Sequence, residues 1–184
     1  IFSANGIKVY LFESLRPTPE ISFAIRQLGA QAGVNVTASH NPKEYNGYKA
    51  YWDDGAQVLA PHDHGIIEEV GKVTIDDVKF TPNTDLIEII GGEMDVDYLM
   101  AVKEAMVDQD VINRQKDLNI VYSPLHGTGR VIIPAALRTW GFQNIHVVAE
   151  QMVVDGNFPT VVSPNPENSE AMTMGMNLGT KLNA

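Results

Sequence analysis

Residues 7–42 read IKVYLFESLRPTPEISFAIRQLGAQAGVNVTASHNP, and their periodicity decides the fold class. Ile7-Lys8-Val9-Tyr10-Leu11-Phe12 is rich in β-branched and aromatic residues and predicts a strand. Thr18-Pro19-Glu20 carries a helix-start signature: a capping hydroxyl, a proline in the first turn, and an acid beside the positive end of the dipole. Ile21, Ile25 and Leu28 then fall on one helical face. Gly33 is expected to stop this helix, and Val34 to Ala38 predicts a second strand. Strand, helix and strand in that order point to the α/β class.

Working outward, Asn5-Gly6 reads as the end of a helix whose body lies upstream, so the true N-terminus is expected before Ile1. Tyr48 to Trp52 and Ala56 to Leu59 predict a β-hairpin turning at Asp54-Gly55. Pro61 opens a helix carrying Ile66, Ile67 and Val70. Between Val73 and Gly92, Pro82-Asn83 suggests a loop. Asp95 to Asp110 predicts a helix with Val96, Leu99, Met100, Val102 and Met106 apolar. After the polar stretch Arg114 to Asp117 the pattern restarts. Leu118 to Tyr122 reads as a strand, Pro124 to Gly129 as a turn, Val131 to Trp140 as a helix and Ile145 to Ala149 as a strand. Residues 155–168, rich in Pro, Gly and Asn, read as a loop, and a last helix begins near Glu167. The expected organisation is α/β throughout. A mixed β-sheet with flanking helices occupies residues 1–114, and a partial second α/β domain occupies 115–184. One βαβ unit with a trailing helix is too small for a full core.

Composition narrows the function classes. Hydrophobic residues make up 44% and charged residues 20%, normal for a globular chain. Thirteen basic against 23 acidic residues leave a net charge of -10. With no basic stripe, this argues against nucleic acid and against anionic membranes as partners. No cysteine is present, which excludes disulfides and cysteine-held zinc or iron–sulfur, and fits a cytoplasmic protein. No apolar run reaches membrane-spanning length.

Chemistry concentrates where the second strand ends, at Val36-Thr37-Ala38-Ser39-His40-Asn41-Pro42, followed by Asn46-Gly47-Tyr48-Lys49. Open α/β sheets place ligands at the carboxyl ends of their strands. Ser39 would be exposed there yet held by a rigid element. His40 and Lys49 could offer charge or donors to a phosphoryl group on it. Ser, Asn and Pro are also ordinary turn residues, and Ser39 could simply satisfy loop backbone.

The string Thr37-Ala38-Ser39-His40-Asn41-Pro42 with Asn46-Gly47-x-Lys49 resembles the active-site loop of the α-D-phosphohexomutases, the phosphoglucomutase and phosphomannomutase family. The run Asn46 to Gln57 is most similar to the branch holding phosphoglucomutase/phosphopentomutase and glucose-1,6-bisphosphate synthase. Ser123-Pro124-Leu125-His126-Gly127-Thr128-Gly129 resembles the start of the family's second domain. Asn157-Phe158-Pro159 and Pro164-Asn165-Pro166-Glu167 resemble the stretch upstream of its metal loop. The resemblance implies a phosphohexomutase, an isomerase that moves phosphate between C1 and C6 through a phosphoserine and a bisphosphate intermediate. Ser39 would be the phosphoryl carrier, with His40 and Lys49 beside it. The implied partners are glucose or mannose 1- and 6-phosphates and a hexose 1,6-bisphosphate. Magnesium is implied too, held in part by the phosphoryl oxygen on Ser39. The family's Asp-Gly-Asp-x-Asp-Arg metal loop is not in this chain, so the chain alone is expected to be inactive. The sugar-choosing loops are also absent, so phosphopentomutase or glucose-1,6-bisphosphate synthase remain alternatives.

Other stretches compete less well. His62 and His64 stand two apart at a helix start and would point different ways, so a shared metal is not expected. His126 to Gly129 could cradle an anion but lacks a dinucleotide or P-loop pattern, and a packing role is expected for its glycines. Ser39 lacks the Gly-x-Ser-x-Gly elbow of a hydrolase, and its neighbour His40 would be a poorly placed base. A non-catalytic phosphosugar- or nucleotide-binding module would need a phosphate cradle and a ribose-binding acid that are not seen. Asp155-Gly156-Asn157 hints at a calcium loop without its remaining ligands. Met172, Met174 and Met176 are expected to pack a helix face.

Overall fold

A computed structural model describes residues 1–184. The chain runs β1 (Val9–Phe12), α1 (Thr18–Gln27), β2 (Ala32–Thr37), β3 (Gly47–Trp52), α2 (His62–Val70), β4 (Ile87–Ile90), α3 (Gly92–Glu104), α4 (Gln109–Arg114), β5 (Ile120–Tyr122), α5 (Gly129–Trp140), β6 (Ile145–Val147) and α6 (Ser169–Leu182). The class is α/β. Its strands pair as three ribbons: β1 with β4 in parallel, β2 with β3 antiparallel, and β5 with β6 in parallel. Helix α1 packs on β2 and on α3, α3 also meets α5, and α6 lies against β5. No helix is long and apolar enough to cross a membrane.

Several elements differ from the local reading. Gly33 does not stop α1; it lies inside β2, where a Cβ would run into the Ile25 side chain. The stop is Gly29, at φ 61°, followed by Ala30 N–H donating to Ile25 O at 2.9 Å. This is a left-handed exit that glycine makes without a Cβ clash. Thr18 is the first helical residue and does not cap the helix; its Oγ1 accepts from Asn35 Nδ2 at 2.6 Å, tying α1 to β2. The Asp54-Gly55 turn forms, but its return arm makes only a bridge between Gln57 and Tyr51. The long partner of β3 is β2, in register from Thr37 opposite Gly47 to Ala32 opposite Trp52.

The 73–92 stretch is not all loop. Ile87–Ile90 forms β4 and pairs with Val9–Phe12, an alignment that joins residues far apart in sequence. The helix expected over 95–110 breaks in two. Asp108 accepts from the N–H groups of Asp110 and Val111 at 2.9 and 3.0 Å, and so starts a new helix at Gln109. On α3, Met94 is buried while Val96 and Met100 face outward. On α6 the buried residue is Ala171; Met172 and Met176 are exposed, so the methionines do not form a packed face.

Candidate active site

Ser39 lies in the loop that joins β2 to β3, two residues beyond the last rung, Thr37 opposite Gly47. The loop is closed by its own hydrogen bonds. Ser39 N–H donates to Thr37 Oγ1 at 2.9 Å and Asn41 N–H to Ala38 O at 3.0 Å. A 3₁₀ turn over Lys43–Tyr45 completes it. Ser39 adopts φ 58°, in the left-handed region that costs a non-glycine residue roughly 1–2 kcal/mol. The serine hydroxyl is exposed, and its one polar neighbour is His40 Nδ1 at 3.4 Å. That is long for a hydrogen bond to a hydroxyl, so the pair is adjacent without being a tight nucleophile–base couple.

Lys49 stands on β3 opposite Asn35, two rungs from Gly47. Side chains two apart on a strand share a face. Lys49 therefore lies on the face of Thr37, whose hydroxyl holds the Ser39 amide. No ion pair or side-chain hydrogen bond engages its ammonium group. A second lysine, Lys43, sits in the serine loop and donates from Nζ to Asn157 Oδ1 at 2.9 Å.

The remaining candidates find other uses. His62 packs its ring edge-on to Trp52 at 5.9 Å. His126 is buried, with both ring nitrogens engaged. A Cβ on Gly129 would collide with the Tyr122 hydroxyl, and one on Gly127 would come within 2.9 Å of Pro124 O, so both glycines are required by packing. Asp155 closes a local turn by accepting from Asn157 N–H at 2.8 Å.

One polar cluster has no local signature. Arg16 is buried and forms a fork on Asp95, Nε to Oδ1 at 2.6 Å and Nη2 to Oδ2 at 2.8 Å. Glu20 lies fully buried beside them, 3.9 Å from Arg16 Nε. Burial, and then the neighbouring Asp95 carboxylate, push the Glu20 carboxyl up to about 8. Both Glu20 carboxyl oxygens are buried without a hydrogen-bond partner, which disfavours the charged form. The four-residue spacing of Arg16 and Glu20 was visible in the sequence; Asp95 is 79 residues from Arg16, beyond any local window.

Two profiles of one family match this chain in succession: phosphoglucomutase/phosphomannomutase alpha/beta/alpha domain I over residues 1–76, and domain II over residues 96–184. The chain belongs to the phosphoglucomutase/phosphomannomutase family. A human phosphopentomutase is 34% identical across the whole chain, which spans 31% of that protein. A Staphylococcus epidermidis phosphoglucomutase is 37% identical across the whole chain, which spans 34% of it. A Thermus thermophilus crystal structure, provisionally named a phosphomannomutase, superposes with a TM-score of 0.70 at 24% identity. That match covers 96% of this chain and 37% of the other, and supports the shared fold. The chain therefore spans about a third of the length of the curated relatives it matches.

Magnesium, implied by the family resemblance, finds no complete site among these residues. No group of three or more His, Asp or Glu side chains converges to hold a metal ion.

Proposed function

We propose that the protein of which this chain is a part is a phosphohexomutase with Ser39 as its phosphoryl carrier. The observation that carries the reading is the exposed, left-handed Ser39 at a strand end, with His40 next to it and Lys49 on the β3 face that carries Thr37. In the resting state the Ser39 hydroxyl bears a phosphoryl group. Its O–P bond breaks as a hydroxyl of a hexose monophosphate forms a new O–P bond, giving a hexose 1,6-bisphosphate. The hydroxyl proton passes to a base, for which His40 is the nearest group to the serine oxygen. After the bisphosphate turns over in the site, the other ester breaks and its phosphoryl group returns to Ser39. Lys49 offsets charge on the transferring group, which suits a reaction governed by positioning and charge neutralisation.

Family membership supports the remaining parts of the proposal except the domain boundary, which rests on the polar break near Arg114. The division taken is units 1–114 and 115–184, with the serine in the first. Magnesium would be bound in the full-length protein, with the phosphoryl oxygen on Ser39 as this chain's ligand, and would neutralise charge there. Substrates are glucose or mannose phosphates. A phosphopentomutase is the second reading, favoured by the human relative that aligns with the entire chain. Intact-mass analysis and peptide mapping of the full-length protein, before and after excess glucose 1-phosphate and magnesium, test the carrier role. A phosphoryl group on Ser39 that leaves or exchanges with the sugar is expected. A Ser39 that stays unmodified even with glucose 1,6-bisphosphate would reduce the protein to a phosphosugar-binding module.

A further inference from the structure

Two stretches that the proposed chemistry leaves unused, His126 to Gly129 and Asp155 to Asn157, come together in the fold. His126 Nδ1 donates to Val153 O at 2.7 Å, because a carbonyl can only accept. Its Nε2 lies 2.8 Å from Thr160 Oγ1. Gln151, 0% exposed, donates from Nε2 to the same Thr160 oxygen at 3.1 Å and accepts from Ser123 Oγ at 2.5 Å. The His126 N–H in turn donates to Gln151 O at 2.9 Å. A buried polar network with its groups satisfied holds one geometry.

This network brackets the 153–160 loop at both ends. At the tip, Phe158 takes φ 50° and sets its ring edge-on to His126, with centroids 6.3 Å apart. The Asn157 amide is pinned by Asp155. The Asn157 carboxamide then meets Lys43 Nζ. A cleft of about 130 Å³ separates the two loops, lined by Pro42, Lys43 and Glu44 on one side and Asn157, Phe158 and Pro164 on the other. Every other hydrogen bond of residues 38–46 closes within the serine loop or onto Thr37. Lys43 to Asn157 is the one that ties this loop to a distant part of the chain.

We propose that the Lys43–Asn157 hydrogen bond is a positioning contact through which the Ser123–His126–Gln151–Thr160 network, buried at His126 and Gln151, sets the place of the Ser39 loop for phosphoryl transfer. The inference rests on the mutase reading, since Lys43 acts through Ser39 and touches no reacting atom. Small displacements of a reacting group cost rate steeply, so loss of the tie should appear in kcat more than in KM.

The test uses full-length protein as wild type, K43A, N157A, the K43A/N157A double variant and K43R. Hydrogen exchange is followed across residues 38–46, and kcat and KM are measured with glucose 1-phosphate primed by glucose 1,6-bisphosphate. Expected are faster exchange at the Asn41, Tyr45 and Asn46 amides in both single variants and a fall in kcat of about tenfold with KM within about twofold. The double variant should be no worse than either single one, and K43R should regain most of both signals. Unchanged loop exchange overturns the proposal; so do losses that multiply in the double variant, or a K43R indistinguishable from K43A. If wild type itself shows no turnover, the mutase reading fails, and loop exchange alone decides whether the tie exists.

Discussion

At φ 58° the backbone of Ser39 occupies a region that Asn or Gly would enter more cheaply, and only short local bonds hold it there. Side-chain removal and strain relief can be separated at this position. Ser39→Ala should abolish mutase turnover in the full-length protein while circular dichroism stays unchanged. Ser39→Gly should be equally inactive yet more stable than the alanine variant by about 1 kcal/mol in urea unfolding, because glycine has no Cβ to clash. Near-normal turnover in either variant would remove Ser39 from the carrier role. Lys49→Ala should lower kcat by about 10²–10³-fold, the scale for losing one charge-stabilising group. The serine, histidine and lysine were all legible in the sequence because they lie within one short string. Lys43 was passed over because its partner, Asn157, lies 114 residues away.

Helices α1 and α3 meet over the Arg16, Glu20 and Asp95 cluster, and the sign of its pH dependence follows from the raised acid. Between the ordinary carboxyl value of 4.5 and about 8, folded Glu20 keeps a proton that the unfolded chain releases. The native state binds more protons in that window, so its stability falls as pH rises through it. Arg16, Asp95 and Tyr98 face the group, Glu13 pairs with Arg16 behind it, and all four are unchanged by a Glu20→Gln substitution. The Tm of the full-length protein should therefore decline from pH 5 to pH 8 more steeply in wild type than in Glu20→Gln. Parallel curves would show that Glu20 ionises normally. At this scale the sequence reading held for β1, α1, β2, α5 and β6 to within a few residues. It failed at β4, where Pro82 and Asn83 upstream masked Ile87-Glu88-Ile89-Ile90, a strand defined by its pairing with β1.

Over the whole molecule, few side chains are buried, and Leu11 and Ile89, opposed across β1 and β4, remain 52% and 59% exposed. Parallel strands are ordinarily covered on both faces. The chain spans about a third of the length of the curated relatives it matches. Incubated with glucose 1,6-bisphosphate and magnesium, residues 1–184 alone should acquire no phosphoryl group on Ser39 by mass spectrometry, whereas full-length protein should. Phosphorylation of the isolated chain would show that this chain holds all the groups needed for transfer to the serine.

The sequence by itself determined the α/β class and the order of most elements, because hydrophobic period and turn residues act within a few positions of one another. It also marked the serine loop as the candidate site, because those residues form one contiguous string. Only the tertiary structure decided that this loop is the connection of an antiparallel β2–β3 ribbon, that Ile87–Ile90 is a strand, and that Arg16 and Glu20 are buried on Asp95. It alone brought Lys43 of the serine loop onto Asn157, and His126 onto Val153 and Thr160 at the two ends of the loop that carries Asn157. Strand pairing and the burial of charge are settled by which distant residues come to lie opposite each other, and no local window contains both partners.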